Sequence, residues 1–297
     1  MITTKPVSTG IKLQKTEKAS LFKETLERMV KGPGAKVGVV LLALIALASI
    51  CAPLIAPYGY NDMDLSNMYS PPSKIHWLGT DELGRDLLTR LLYGGRYSLS
   101  LGLSAALFGG FVSIILGSIA GYFGGKTEIA IMRLIDIWSS LPAMLMAILI
   151  SATLGTGFFN TILALSFGEV PPGTRLIRGQ ILKERTKEYL EAAESINCSK
   201  FSIMFRHLLP NVVQPILVHM TMGIGFAITM AAALSYIGLG IRPPTPEWGA
   251  ILADGRSHIL NYPYLVMFPG LLITLTVLAI NLIGDGLRDA LDPKLRD

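Results

Sequence analysis

Residues 137–168 read IWSSLPAMLMAILISATLGTGFFNTILALSFG, 32 positions without one Asp, Glu, Lys or Arg. A helix of that length extends about 48 Å, whereas the hydrocarbon of a bilayer is about 30 Å thick. The stretch therefore does not cross as one helix. Gly155-Thr156-Gly157 interrupts it and Asn160 follows, a composition that ends helices and turns the chain. The reading is two spans, 129–154 and 158–177, joined by a tight turn. Arg133 and Asp136 lie near the start of the first, where they pair at i,i+3 or reach the interface. The second contains Glu169 and is expected to break at Pro171-Pro172.

Four more charge-free runs surround this one: Val37–Pro57 with 21 residues, Tyr97–Gly125 with 29, His207–Ile241 with 35 and Ser257–Gly284 with 28. Helices that are apolar on every face need lipid or a very large core around them. The composition of the 297-residue chain agrees: 51% hydrophobic, 16% charged, mean hydropathy +0.50. Intrinsic disorder is excluded and an ordinary soluble enzyme is disfavoured. The net charge of +5 is too modest and too scattered for nucleic-acid binding. Two cysteines, Cys51 and Cys198, make no disulfide framework. The expected fold is an all-α membrane protein with six transmembrane helices, at about 37–57, 97–123, 129–154, 158–177, 212–240 and 264–284.

Charge placement supports six rather than five. With the N-terminus inside, the inner segments 1–36, 126–133, 175–206 and 288–297 hold 20 of the 26 Lys and Arg. Cytoplasmic loops carry such an excess. Five spans would put 175–206, with seven cations, outside. Both termini are thus expected in the cytoplasm of a bacterial cell, with residues 1–34 a basic tail, helical after Ser20, and 35–297 the membrane domain. The charged leader before Val37 is too long for a cleaved signal peptide.

Several chemistries lack their residues. The central parts of spans one, two, five and six carry no ionisable group that would mark an ion-driven carrier. Ala120-Gly121-Tyr122-Phe123-Gly124-Gly125-Lys126-Thr127 lacks the first glycine of a P-loop and joins two membrane helices. Gly117, Gly121 and Gly125, four apart, read instead as a helix-packing stripe. The four histidines (76, 207, 219, 258) have no metal-ligand spacing. No catalytic constellation and no metal site is expected, and the driving energy should enter from another subunit.

The inner segment Arg175–Asn211 is the informative one. Ile181, Leu182, Tyr189 and Leu190 give partial helical periodicity among charges, and Glu191-Ala192-Ala193 follows. Two small alanines allow close docking into a groove, and Glu191 adds a negative contact. Asn197 suits the left-handed residue that ends a helix. Ser199 suits the cap of the next, and Pro210 suits the first turn of span five. A short helix–turn–helix across the inner membrane face results.

Residues 191–210 resemble the EAA loop, E-A-A-x3-G-x9-I-x-L-P, of binding-protein-dependent ABC importer permeases. Glu191, Ala192, Ala193, Leu209 and Pro210 match; Asn197 stands for the glycine and His207 for the isoleucine. Arg206-His207 with Leu209-Pro210-Asn211 is similar to the R-H-x-L-P-N variant of the dipeptide/oligopeptide/nickel branch. Gly79-Thr80-Asp81-Glu82-Leu83-Gly84-Arg85-Asp86 resembles that branch's G-T-D-x-x-G-R-D in its C-type permeases. Pro243-Pro244-Thr245-Pro246-Glu247-Trp248-Gly249 resembles P-P-x-P-x-W-G, and 284–293 resembles the usual ending. Only Gly168–Thr174 departs, lacking the aromatic residues of the pattern.

The resemblance implies a type I ABC importer permease fold. It also implies as partners a homologous B-type permease, two ABC ATPase subunits and an extracytoplasmic substrate-binding lipoprotein, besides membrane lipid. No cofactor is implied for this chain itself, ATP and Mg belonging to the ATPases. The loop 178–211 would couple to an ATPase groove through Glu191, Ala192, Ala193, Asn197, Arg206 and Pro210.

The outer landmarks admit two readings each. Asp81 and Arg85 dock the binding protein, or Thr80-Asp81 caps an amphipathic helix in the outer interface. Trp248 docks too, or anchors at the interface. Met222, Thr229, Met230 and Ser235 are candidates for the translocation path. The leading function is ATP-driven import of di- or oligopeptides, with nickel or a metallophore as rival cargo. A self-sufficient carrier is the alternative of a different class.

Overall fold

The structure, a computed structural model, describes residue 29 and residues 32–291. The expected tail helix after Ser20 and the ending at Asp292-Pro293 lie outside the described residues. Nine helices organise the rest: α1 (Pro33–Ile50), α2 (Leu87–Phe123), α3 (Gly125–Trp138), α4 (Ala143–Leu154), α5 (Phe158–Glu184), α6 (Glu188–Ser195), α7 (Lys200–Tyr236), α8 (Trp248–Gly255) and α9 (Tyr264–Leu291). Among the described residues the only strand-like feature is an isolated bridge between Thr80 and Asp86. The chain is all-helical, as the composition demanded.

Four helices (α1, α2, α7 and α9) are long and apolar enough to cross a bilayer. The pair α3 and α4 makes a fifth if counted together, but it is bent by 81°. The span expected at 129–154 is therefore not one rod. Ser139-Ser140-Leu141-Pro142 breaks it because Pro142 cannot continue a helix from the residue before it. Each remaining helix also departs from its expected bounds. α1 starts at Pro33 and stops at Ile50, with a separate short helix at Ala52–Ile55. α2 begins ten residues early, α7 begins at Lys200, and α9 runs on to Leu291.

α5 overturns the expected break at Pro171-Pro172. The helix continues through both prolines to Glu184, so 178–184 belongs to a helix rather than to the loop. Its neighbour explains the tolerance. α2 lies along α5 in the most extensive helix contact of the structure. Ser113 of α2 donates from Oγ to the Val170 carbonyl (3.1 Å), and Ser166 of α5 donates to the Ala105 carbonyl (3.1 Å). The carbonyls that Pro171 and Pro172 leave without a donor are those of Phe167 and Gly168, so what supports the segment is its packing against a neighbouring helix rather than replacement of the lost bonds.

Small residues set this close approach. A Cβ on Gly117 would fall 2.8 Å from the Ile177 Cβ, and one on Gly121 would fall 2.9 Å from the Ile181 Cβ. The stripe ends there. Gly125 meets nothing and, with Gly124, turns the chain at positive φ (54° and 66°) between α2 and α3.

Two buried clusters close the ends of the bundle. One, at the Trp248 end, joins Ile45, Leu87, Leu91, Trp248, Ile251, Tyr264 and Leu265. The other, at the α6 end, joins Tyr122, Ile177 and Ile181 to Leu190, Ala193, Ile203 and Leu208. The short helix α6 is thereby packed onto α2, α5 and α7 through its apolar side.

Candidate functional site

α6 carries Glu191, Ala192 and Ala193, three of the six residues expected to couple. Glu191 and Ala192 are exposed, whereas Ala193 is 6% exposed and belongs to the buried cluster at this end. Both alanines are expected on a docking face; in the structure Ala192 is exposed, whereas Ala193 packs inward. After Ser195 the chain reverses at Asn197, whose φ is 57°. Only glycine adopts that conformation without cost, and asparagine tolerates it best among the others. Ser199 then caps α7, its Oγ accepting from the Ser202 N–H at 3.2 Å. These two expectations hold residue by residue.

The start of α7 is wound more widely than an α-helix over Ile203–Leu208. Pro210 follows: its ring has no N–H to give the Arg206 carbonyl and crowds it, which opens the preceding turn. Arg206 and Pro210 are both exposed on the same segment as Glu191. Ile196, Phe201 and Phe205 are exposed as well (76%, 70% and 56%), and the two phenyl rings stack at 6.0 Å. The sequence reading missed this apolar patch, although three large apolar residues amid charges were its signal.

Tyr189 ties α6 to the bundle. Its hydroxyl donates to Glu184 Oε1 at the end of α5 (2.9 Å) and accepts from Asn211 Nδ2 on α7 (3.1 Å). Burial, reinforced by the bond to Glu184, pushes the phenol up to about 12, so it stays a donor. Asn211 also donates to the His207 carbonyl at 2.7 Å. Through Tyr189, α6 is therefore hydrogen-bonded to two long helices, α5 and α7.

At the opposite end of the bundle from α6, Asp81 organises a buried polar knot. Oδ1 accepts from the Leu83 and Arg85 N–H groups (2.9 and 3.0 Å); Oδ2 accepts from Arg85 Nε (2.7 Å) and Arg90 Nη1 (2.5 Å). Asp81 is 4% exposed and Arg85 2%. Neither presents a side chain for docking; they shape the segment that does face outward. The helix cap expected from Thr80-Asp81 is instead Asp86, which accepts from the Thr89 N–H (2.8 Å) and faces His76 Nδ1 (3.0 Å). Thr80 turns inward and donates to the Asn67 carbonyl.

Trp248 is likewise not an interfacial anchor. It is 1% exposed and its indole donates to the Leu91 carbonyl at 2.8 Å. Glu247 beside it caps α8, accepting from the Gly249 and Ala250 N–H groups and from the hydroxyls of Ser98 and Ser235. That bond removes Ser235 from the path: its side chain is buried in a structural cap. Exposed surface on this side comes from Leu54, Leu65, Ile75 and Trp77.

Of the remaining path candidates, Met222 lines a cavity between the α3–α4 bend, α5 and α7. Met230 packs against the cluster of Leu101, Ala105 and Leu165. Thr229 is exposed and its hydroxyl donates to its own helix at Gly225. Glu169, read from the sequence as part of the span at 158–177, and His219, one of four histidines without metal-ligand spacing, face each other in that cavity at 3.7 Å. Fifty residues of separation hid the pair. Asp136 and Glu128 of α3 hold Arg175 and Arg178 of α5 by ion pairs across the bend.

Comparison with known proteins brings these features under one heading. Residues 113–297 match the family described as binding-protein-dependent transport system inner membrane component, and residues 20–72 match the N-terminal TM domain of oligopeptide transport permease C. The chain is 40% identical over 277 residues to the dipeptide transport system permease protein DppC of Alkalihalophilus pseudofirmus, covering 93% of this chain and 91% of that one. It is 42% identical over 284 residues to the di/tripeptide transport system permease protein DppC of Pseudomonas aeruginosa, covering 94% of each. The glutathione transport system permease protein GsiD of Shigella flexneri is 47% identical over 254 residues, 85% of this chain and 84% of that one. An inward-facing conformation of the MetNI methionine ABC transporter aligns with a TM-score of 0.56 at 18% identity, covering 67% of this chain and 95% of that chain.

Proposed function

Because the chain belongs to the family of inner-membrane components of binding-protein-dependent transport systems, we propose that it is the C-type permease of a bacterial importer for short peptides. As a member it is a non-catalytic, multi-pass membrane subunit of an ABC importer, whose ATP hydrolysis and substrate capture reside on other subunits. The finer composition we infer is one homologous B-type permease, two ATPases and an extracytoplasmic binding lipoprotein. The N- and C-termini are inside on this reading, and ATP with Mg is bound by the ATPases alone. α5 is then the sixth span, polar where it meets its neighbours.

The observation that carries the mechanism is the exposed Glu191–Ala192 face on a helix anchored by Tyr189 to both α5 and α7. Closure of the ATPase dimer would push this face. α6 passes the push through Leu190 and Ala193 into the inner core, and α5 and α7 carry it toward the cavity. Arg206 and Pro210 flank the contact, and Asn197 sets the reversal that presents it. Asp81, Arg85 and Trp248 serve docking of the binding protein by holding the outer loop in shape. Met222 and Thr229 fall to the path; Met230 borders it.

Peptide cargo is favoured over nickel or a metallophore by the relatives, whose names are dipeptide, di/tripeptide and glutathione permeases. The test is uptake by the whole complex in proteoliposomes with ATP and the binding protein. Wild type should accumulate a labelled dipeptide, and Glu191→Lys should abolish uptake while the binding protein still binds peptide. Wild-type uptake by Glu191→Lys would refute the coupling role.

A further inference from the structure

The cavity between the α3–α4 bend, α5 and α7 has a volume of about 510 Å3. Small-molecule sites fall in the range of about 300–1,000 Å3 and combine apolar walls with a few placed polar groups. Trp138, Phe167, Met222 and Phe226 supply such walls. Two charged residues of opposite sign, Glu169 and Arg175, complete the lining from one helix.

Glu169 is 8% exposed. Its carboxylate accepts no hydrogen bond from the described residues, and the nearest side-chain nitrogen paired with it is His219 Nε2 at 3.7 Å. Gly223 of α7 leaves the carboxylate its room: a Cβ there would stand 3.2 Å from Oε2. A carboxylate sequestered in a membrane helix without hydrogen bonds is costly, and such groups face functional pathways. Arg175 is in the opposite condition. Its side chain is 43% exposed and commits Nη2 to Asp136 at 3.0 Å, while a guanidinium has five N–H donors in all.

The two positions are six residues apart, about 9 Å along the axis of α5 and about 120° apart around it, yet both line the one cavity. An extended dipeptide spans about 7 Å and a tripeptide about 10 Å. At neutral pH either is an ammonium at one end and a carboxylate at the other. We propose that this cavity is a transient subsite for zwitterionic di- and tripeptides, with the α-ammonium at Glu169 and the C-terminal carboxylate at Arg175. Side chains of any apolar kind then lie against the aromatic and methionine walls, so the subsite reads length and termini rather than sequence. The proposal rests on the peptide-permease reading above and names the residues that hold the cargo as it passes.

The experiment measures binding of labelled trialanine to the purified permease–ATPase complex without the binding protein, beside N-acetyl-trialanine and trialanine amide. Losing one hydrogen bond to a charged group lowers affinity about tenfold or more. Wild type should prefer trialanine over each blocked peptide by about that factor. Glu169→Gln should erase the preference over the N-acetyl peptide alone, and Arg175→Gln the preference over the amide alone. Asp136→Asn, which frees Arg175, should keep both preferences. A merely structural role would weaken all three peptides together.

Equal binding of the three peptides by wild type overturns the subsite, as does an unchanged preference in Glu169→Gln. So does the absence of saturable binding up to about 10 mM. Peptide uptake by the same preparation, supplied with its binding protein, separates the two levels. If wild type transports peptide yet shows no terminal preference, only the subsite fails. If wild type transports no peptide, the cargo assignment fails and the subsite with it.

Discussion

Replacing Asp81 by asparagine tests whether the outer loop is a scaffold or a contact. The carboxylate takes four hydrogen bonds, two from backbone N–H groups and two from guanidiniums that are 2% and 0% exposed. Asparagine keeps one acceptor oxygen, turns a donor toward a donor and removes the charge. No other carboxylate replaces it, since Asp254 Oδ2 lies 3.9 Å from Arg90. Arg90 Nε and Nη2 are already buried without a partner among the described residues. Breaking a buried ion pair by removing one partner costs about 3–5 kcal/mol. At roughly 2–4 °C per kcal/mol for a chain of this size, Tm should fall by roughly 6–20 °C.

The assay is thermal unfolding of the purified complex, followed by binding-protein-stimulated ATPase activity well below Tm. A scaffold residue lowers Tm and spares stimulation at low temperature. A docking residue does the reverse. A Tm within about 2 °C of wild type, less than one kcal/mol, would refute the reasoning. Asp254→Asn is the companion variant. Burial pushes the Asp254 carboxyl up, and Arg90 only partly opposes it. A carboxyl raised in the folded state contributes stability below its ordinary titration range and loses it as pH rises through the raised value. At neutral pH the charge is therefore a burden, and Asp254→Asn should leave Tm unchanged or raise it.

Other substitutions report on the inner half. Asn197→Gly should leave stability and uptake nearly unchanged because φ is 57° there, whereas Asn197→Val should lower stability by at least about 1 kcal/mol in the same thermal assay. Gly121→Val should destabilise the complex by about 1–3 kcal/mol through collision with Ile181, a far larger effect than any valine placed at the exposed, open side of α2. Tyr189→Phe removes one donor between Glu184 and α6. It should cost about 1 kcal/mol or more and lower the uptake gained per ATP hydrolysed, measured as a stoichiometry in proteoliposomes.

Much of this architecture was legible because lipid is an undemanding reader: it requires length and apolarity, and five runs supply both. The positive φ of Asn197, the Ser199 cap and the turn at Gly155–Gly157 were legible for local steric reasons. What failed needed a neighbour. Pro171-Pro172 reads as a break, yet α5 runs through it while packed along α2. The bend at Ser139–Pro142 is the exception: Pro142 after two serines is a local signal, masked by the absence of charge along the run. Asp81, Arg85 and Trp248 look like surface residues by type, and only the path of the chain buries them. Glu169 and His219 carry no spacing signal at all, because helices that cross a bilayer bring together residues a whole span apart.

The central claim is that this subunit moves solute only when ATP-driven force reaches it through α6. The direct measurement is solute accumulation in sealed proteoliposomes containing the chain alone, and then the chain with its partner permease, ATPases, binding protein and ATP. The account predicts uphill accumulation of dipeptide in the second preparation and none in the first. Accumulation against a gradient by the chain alone would contradict it.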